Sequence, residues 1–280
     1  EAAGSADVGT IFDEIEMEKT HDGAHSQKAF ALRMNLARPV SIANVSTQHV
    51  EQIAETNALK QEELDYLRYH KERIAFNVKI VSEVLERAGA ESPRLLDVGP
   101  HIQTTVLNEC VGSEVVINTL GWKNERLVSE SDFRQHFEFD LNNADTEALW
   151  PETEQHDVVV MAEVIEHLHT APSLVINFLK EYVAPGGYLI IQTPNAVDAK
   201  KRLQMLRGEQ PYEQIQEDLS NPGHFREYTK TELREYVEGE GLDVEDIWYC
   251  DYWPQSGLRR LLELAVPSLR RGITLFARKP

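Results

Sequence analysis

Two short stretches place ionisable side chains close enough together to do chemistry, and a third supplies a partner. In LLDVG (Leu95–Gly99) an acid, Asp97, stands two residues before a glycine. A glycine after an apolar run lets the backbone turn tightly and approach a ligand closely. In AEVIEHL (Ala162–Leu168) two carboxylates and an imidazole, Glu163, Glu166 and His167, are three and four residues apart, so on a helix starting near Val164 they converge. His224 follows in GHFREYT (Gly223–Thr229). A hydroxyl attacking an electrophile must lose its proton, and histidine is the side chain whose unperturbed pKa suits a base near neutral pH. His167 and His224 are the candidate bases, with Glu166 in support and His101 and His169 as second choices. The same carboxylates and imidazoles would also suit a labile divalent cation. Helix capping plus a general base is the simpler reading, so no metal is assigned. Glu227 and Tyr228 are placed to orient an acceptor, or else belong to an ordinary helix start in which Thr229 caps and Glu232 stands three residues on.

Side chains so far apart in sequence meet only if the elements between them fold into one edge. Ser46 to Ala88 lacks proline and glycine and carries Ile74, Val78, Val81 and Leu85 at helical spacing, which predicts one long helix or two in sequence. After it, strand-like runs end in turns at Arg94–Gly99, Glu114–Gly121, Phe137–Leu141, Asp157–Ala162 and Tyr188–Thr193. Helices are predicted at Ala171–Val183 and Lys230–Gly239. DVEDIWYC and GITLFARKP read as two further strands, joined by a helix around Leu258–Val266. This alternation predicts an α/β fold: a Rossmann-like, mostly parallel seven-stranded sheet with helices on both faces and an N-terminal helical extension. The expected division is a poorly ordered arm over 1–45, the helical extension over 46–90 and the main domain over 91–280. Ligands of such sheets bind beyond the carboxyl ends of the strands, where Asp97, Gly99 and Glu163 fall.

Composition narrows the partners. The 280-residue chain is 41% hydrophobic with a formal net charge of -19, which repels a phosphate backbone and makes nucleic acid a poor partner. Two cysteines, Cys110 and Cys250, in no CxxC pattern predict neither a disulfide framework nor a thiolate metal site. A cytoplasmic location is expected, with neither a signal peptide nor a transmembrane segment.

From Arg94 to about Tyr249 five segments, in order, resemble class I S-adenosylmethionine-dependent methyltransferases, in particular bacterial members that tailor glycans and small molecules. The segments are LLDVG, FDLN (Phe139–Asn142), DVVVMAEVIEHL (Asp157–Leu168), APGGYLIIQTPN (Ala184–Asn195) and GHFREYTKTELREYVEGEGL (Gly223–Leu242). The resemblance implies S-adenosylmethionine as cofactor, its methionine part cradled by Asp97 and Gly99, its adenine held by Asp140 and Leu141, and its sulfonium bordered by Ala162 and Glu163. Carboxylates at 97 and 163 suit those positive charges. Two departures stand out. GPHIQTT (Gly99–Thr105) keeps one glycine where a run is usual, and Thr119 stands where the second strand usually ends in an acid for the ribose hydroxyls, unless Glu125 reaches in. They open the alternative of a catalytically degenerate cofactor-binding scaffold. The set Glu163, Glu166, His167 and His224 is in turn similar to the metal-binding pattern of small-RNA 3′-terminal ribose 2′-O-methyltransferases. The activity implied is O-methylation of a hydroxyl on a sugar, glycan conjugate or small metabolite.

The tail adds a charge argument. Leu258–Pro280 carries Arg259, Arg260, Arg270, Arg271, Arg278 and Lys279 against Glu263 alone, which predicts peripheral contact with an anionic group. The apolar stripe Leu258, Leu261, Leu262, Ala265 and Val266 is expected to pack on the core.

Overall fold

A computed structural model describes residues 61–88, 90–122, 129–217, 222–252 and 257–280, all within the compact unit Ser41–Pro280. The predicted arm over 1–45, the start of the long helix and Glu125 lie outside the described residues.

Seven strands form one sheet in the order β3-β2-β1-β4-β5-β7-β6. They are β1 (Arg94–Val98), β2 (Val116–Gly121), β3 (Gln135–Glu138), β4 (His156–Ala162), β5 (Val183–Pro194), β6 (Asp243–Cys250) and β7 (Gly272–Arg278). The first five run parallel, and β7 is antiparallel between β5 and β6. The central runs are near-continuously apolar because both faces are covered, and Leu95, Leu96, Val158 to Met161 and Leu189 to Ile191 are all buried. Strand order reverses between β1 and β4, so their carboxyl ends open a crevice. Asp97 pairs in register with Thr119 on β2 and Val160 on β4, which sets it at the lip of that crevice.

Helix α1 (Gln61–Ala88) buries the predicted Ile74, Val78, Val81 and Leu85. It is tied into the sheet layer, not set apart from it: Asn77 Nδ2 donates to Gln103 Oε1 (2.8 Å) and to Gln192 Oε1 on β5 (2.7 Å). Helix α2 (Ile102–Cys110) follows β1, α3 (Pro172–Tyr182) precedes β5, α4 (Ala199–Leu206) follows β5, α5 (Lys230–Gly239) precedes β6, and α6 (Gly257–Ala265) precedes β7.

Three local expectations change. The third strand ends at Glu138 and not at Leu141, because Asp140 Oδ1 accepts from the Asn142 amide (2.9 Å) and caps a 3-10 turn over Leu141–Asn143. The helix expected from Val164 is a single 3-10 turn, Ile165–His167, because Glu163 adopts φ 56° and Leu168 is already extended. The stripe expected to pack on the core faces outward instead: Leu261, Leu262, Ala265 and Val266 are exposed while Glu263 is buried.

The basic tail is not one surface. β7 carries Arg278 and Lys279 to the opposite edge of the sheet from Arg270 and Arg271, roughly 20 Å away at strand rise. There Arg278 Nε donates to the Gly186 carbonyl (3.2 Å), and Lys279 Nζ donates to those of Lys180 and Val183 (2.8 and 3.0 Å). These two charges secure β7, which corrects the expectation of a single anion-binding tail.

Candidate active site

The turn after β1 is fixed by steric necessity. Gly99 has φ +79°, and a Cβ built there would lie 2.4 Å from Val164 Cγ2, so only glycine fits beneath the Glu163–Val164 turn. Its amide donates to the Leu120 carbonyl (2.8 Å). Just below, Asp97 is buried, accepting from Thr104 Oγ1 (2.7 Å) and Gln103 Nε2 (3.5 Å). Burial raises its carboxyl to about 7, and the two neutral donors only partly oppose this. A buried carboxyl held so high gains strongly from a cation placed against it.

Beside it, α1 contributes a polar row that sequence reasoning missed. Arg73 is buried and donates from Nη2 to Tyr66 Oη (3.0 Å), while its Nε has no hydrogen-bond partner. The Tyr66 ring lies 4.3 Å from that of His101, centroid to centroid, and 4.3 Å from that of His70. Burial, reinforced by the Arg73 charge, lowers His101 to about 4 and His70 to about 3. The bulky His101 and Gln103, in place of small residues, are thus the surface on which α1 sits. On the other side Gln192 Nε2 donates to Tyr252 Oη, which also bonds Thr274 Oγ1 (2.8 Å). A signal for the missed residues existed: Tyr66, His70, Arg73 and Asn77 recur at four, three and four residues, the period of the buried stripe beside them.

Glu163, half-buried at the end of β4 beyond Ala162, has its pKa raised because burial outweighs the attraction of Arg73. Glu166 is wholly buried and raised further, by burial and then by the charge of Glu163. Thr193 Oγ1 donates to its Oε2 (3.0 Å), and its Oε1 has no partner.

Two histidines meet at the mouth, with ring centroids 4.8 Å apart. His167 Nδ1 lies 2.9 Å from the Gly223 carbonyl, an acceptor only, so Nδ1 carries the proton and Nε2 keeps a lone pair. Burial lowers its pKa, which keeps the ring neutral and able to take a proton. His224 Nδ1 lies 3.1 Å from Glu227 Oε1. Burial pulls the His224 pKa down, but the hydrogen bond and charge of Glu227 win and raise it. Lys201 of α4 pairs with the other oxygen of Glu227. Single ligand atoms of Glu166, His167 and His224 lie within 4.8 Å of one another, a spacing that could hold a cation.

The remaining candidates are spread around the crevice. Asp140 caps its turn and Leu141 is in the core. Thr119 is buried with Oγ1 2.8 Å from His136 Nδ1, turned into the sheet layer, and Gly121 is the strand-end residue that packs on the Gly99–Pro100 turn. His169 is exposed, its ring 5.5 Å from that of Phe225. Tyr228 is a core residue whose backbone bridges Asn195.

A parallel sheet with an acid–glycine turn at its topological switch point defines a Rossmann-like protein that takes a nucleotide-type cofactor at its carboxyl edge. Residues 66–247 match the model of a methyltransferase domain family, and the chain belongs to that family, with S-adenosylmethionine as its cofactor. A Mycolicibacterium smegmatis protein described as an S-adenosylmethionine-dependent methyltransferase is 32% identical over 90 residues, 32% of this chain and 30% of that protein's length. Among solved structures, a chain from the complex between the Haloferax volcanii Trm112 methyltransferase activator and a methyltransferase superposes with a TM-score of 0.51. It has 12% identity and covers 82% of this chain and 97% of that one. An Archaeoglobus fulgidus SAM-dependent methyltransferase gives 0.44 at 16% identity, over 76% and 99% of the two chains. At 12% identity the first of these superpositions bears on the fold alone.

The crevice suits that cofactor chemically. Its amino-acid end carries an ammonium and a carboxylate, and the crevice offers a buried carboxyl at Asp97 and a buried guanidinium at Arg73 with one donor unspent.

Proposed function

We propose that the protein is an S-adenosylmethionine-dependent O-methyltransferase acting on a hydroxyl of a sugar, glycan conjugate or small metabolite. The cofactor supplies an electrophilic methyl group on a sulfonium. Asp97 and Arg73 hold its amino-acid end, Asp140 and Leu141 border its base, Gly99 gives its backbone room, and Ala162 and Glu163 line the reacting end. The observation that carries the reading is the tautomer of His167: Nδ1 is committed to the Gly223 carbonyl, so Nε2 is a fixed acceptor for an acceptor hydroxyl's proton. His224 has its pKa raised by the hydrogen bond and charge of Glu227 at the same mouth, which favours its protonated form there.

A second reading is supported by the proximity of Glu166, His167 and His224: a divalent cation held there would grip a diol, as in ribose 2′-O-methyl transfer. One experiment separates the readings. Sugars, glycolipids, small phenols and short RNAs are screened with labelled methyl donor, and adenosylhomocysteine binding is measured by calorimetry. The expected result is turnover on a sugar-type or metabolite hydroxyl that survives EDTA, with His167→Gln lowering kcat by about 10²–10⁴ while adenosylhomocysteine still binds. EDTA-sensitive turnover restored by Mn²⁺ moves the assignment to the second reading. Failure to bind adenosylhomocysteine at all overturns both, and binding without turnover on any acceptor moves the assignment to a catalytically degenerate cofactor-binding scaffold.

A further inference from the structure

Helix α6 is built inside out. Glu263, at the middle of its polar arc, is 4% exposed, whereas Leu261 and Leu262 are 63% and 49% exposed and Leu264, Ala265 and Val266 also face solvent. An isolated exposed leucine is ordinary, but a row of outward leucines with no cover among the described residues is a surface that suits a partner. Helix α4 repeats the pattern. Leu206 is 84% and Leu203 48% exposed, flanked on the same helical face by exposed Lys200 and Arg207.

The two helices belong to one face of the molecule. Arg202 of α4 donates from Nη2 to Ser268 Oγ (2.9 Å), just after α6, and Asn195 Nδ2, at the end of β5, donates to the carbonyls of Ser268 (2.9 Å) and Arg270 (2.7 Å). Both follow or precede strand ends at the carboxyl edge, where Lys201 of α4 also reaches Glu227 beside His224. Charge is concentrated here against the trend of the chain. The exposed charges of α4 are Lys200 and Arg207, both basic on a chain of net charge -19, while Lys201, Arg202 and Arg270 are held by Glu227, Ser268 and the Tyr249 carbonyl. The loop after α4, with Glu209, Glu213 and Glu217, marks where the basic stretch ends.

We propose that α4 and α6 form a peripheral docking face for an anionic lipid bilayer, with the exposed leucines of both helices entering the interfacial layer and Lys200 and Arg207 of α4 meeting the headgroups. Outward leucines flanked by exposed basic residues, as on α4, are the composition such a surface selects. Nucleic acid would use the charges and leave the leucines in water. A second copy joined about a two-fold axis would set the basic residues of each protomer against those of the other.

The test uses the full chain in flotation with vesicles of phosphatidylcholine alone or with phosphatidylglycerol. Binding to the anionic vesicles only, weakened by salt, is the expected result. Leu261→Asp with Leu262→Asp, and separately Lys200→Glu with Arg207→Glu, each lower the partition by at least about tenfold, with circular dichroism and melting unchanged. No flotation on anionic vesicles, or flotation indifferent to the leucine substitutions, overturns the proposal. So does a leucine variant that turns a sedimenting dimer into a monomer, which assigns the face to a second copy.

Discussion

Asp97 shows how one side chain can make cofactor affinity depend on pH. Its carboxyl sits near 7 in the free protein because burial outweighs the bonds from Thr104 and Gln103. A bound ammonium would favour the ionised form, so the proton must leave before or as the cofactor binds. If the bound state holds the pKa below 6, affinity for adenosylhomocysteine rises about tenfold between pH 6 and 8. Calorimetry at the two values, with Asp97→Asn as reference, measures this. An equal slope in the variant would assign the pH dependence to another group. Asp97, Gly99 and the Glu163–His167 cluster were legible because chemistry-bearing residues at strand ends stand out against apolar runs. Arg73 was not, since one arginine among the several charged residues of a long helix looks solvent-facing until the helix is seen lying on the crevice. Thr119 stands two residues before the strand end, Gly121, and its hydroxyl meets His136, its register partner on β3.

At the scale of elements, the turn from β4 into the 3-10 segment positions the mouth, and it does so through strain. Glu163 alone among the described non-glycine residues has positive φ, at 56°, a conformation that costs an L side chain about 1 kcal/mol or more. The turn closes over Gly99, aims Glu163 across the crevice and leaves room for only one helical turn before Leu168. Glu163→Gly should therefore be more stable than Glu163→Ala by about 1 kcal/mol in urea unfolding, although glycine is normally the costlier choice for the unfolded chain. Equal stabilities, or a more stable alanine variant, would show that the turn is unstrained. The existence of the seven strands and of the helices α3 and α5 followed from residue pattern, which reports buried faces directly. This turn did not, because its helix-like spacing is cut short by a backbone angle that no side-chain pattern encodes. The outward α6 defeated the pattern too: amphipathicity gives two faces but not which of them meets the body.

Across the whole molecule, stability against pH is a contest between two sets of buried groups. Asp97, Glu163 and Glu166 are raised, so they favour the fold as pH falls toward the carboxylate range; the neutral His70, His101 and His156 are lowered, so they oppose it. The windows overlap and the effects offset, which makes the wild-type profile a poor witness to either. A single buried histidine far from the crevice isolates one side. His156 opens β4 at the opposite edge, fully buried, with Asn118 Nδ2 donating to its Nε2 (3.0 Å), and burial lowers it to about 4 from 6.5. Because the folded pKa is the lower one, its contribution is complete above 6.5 and is lost as pH falls toward 4, when the unfolded chain takes up the proton. At pH 5 that loss is about 2 kcal/mol relative to pH 8. His156→Gln removes the titration, so its stability deficit against wild type, measured by urea unfolding, should be about 2 kcal/mol smaller at pH 5 than at pH 8. A deficit that stays constant between the two values would mean that His156 is charged or solvated in the folded protein and that the start of β4 is more open than its packing implies.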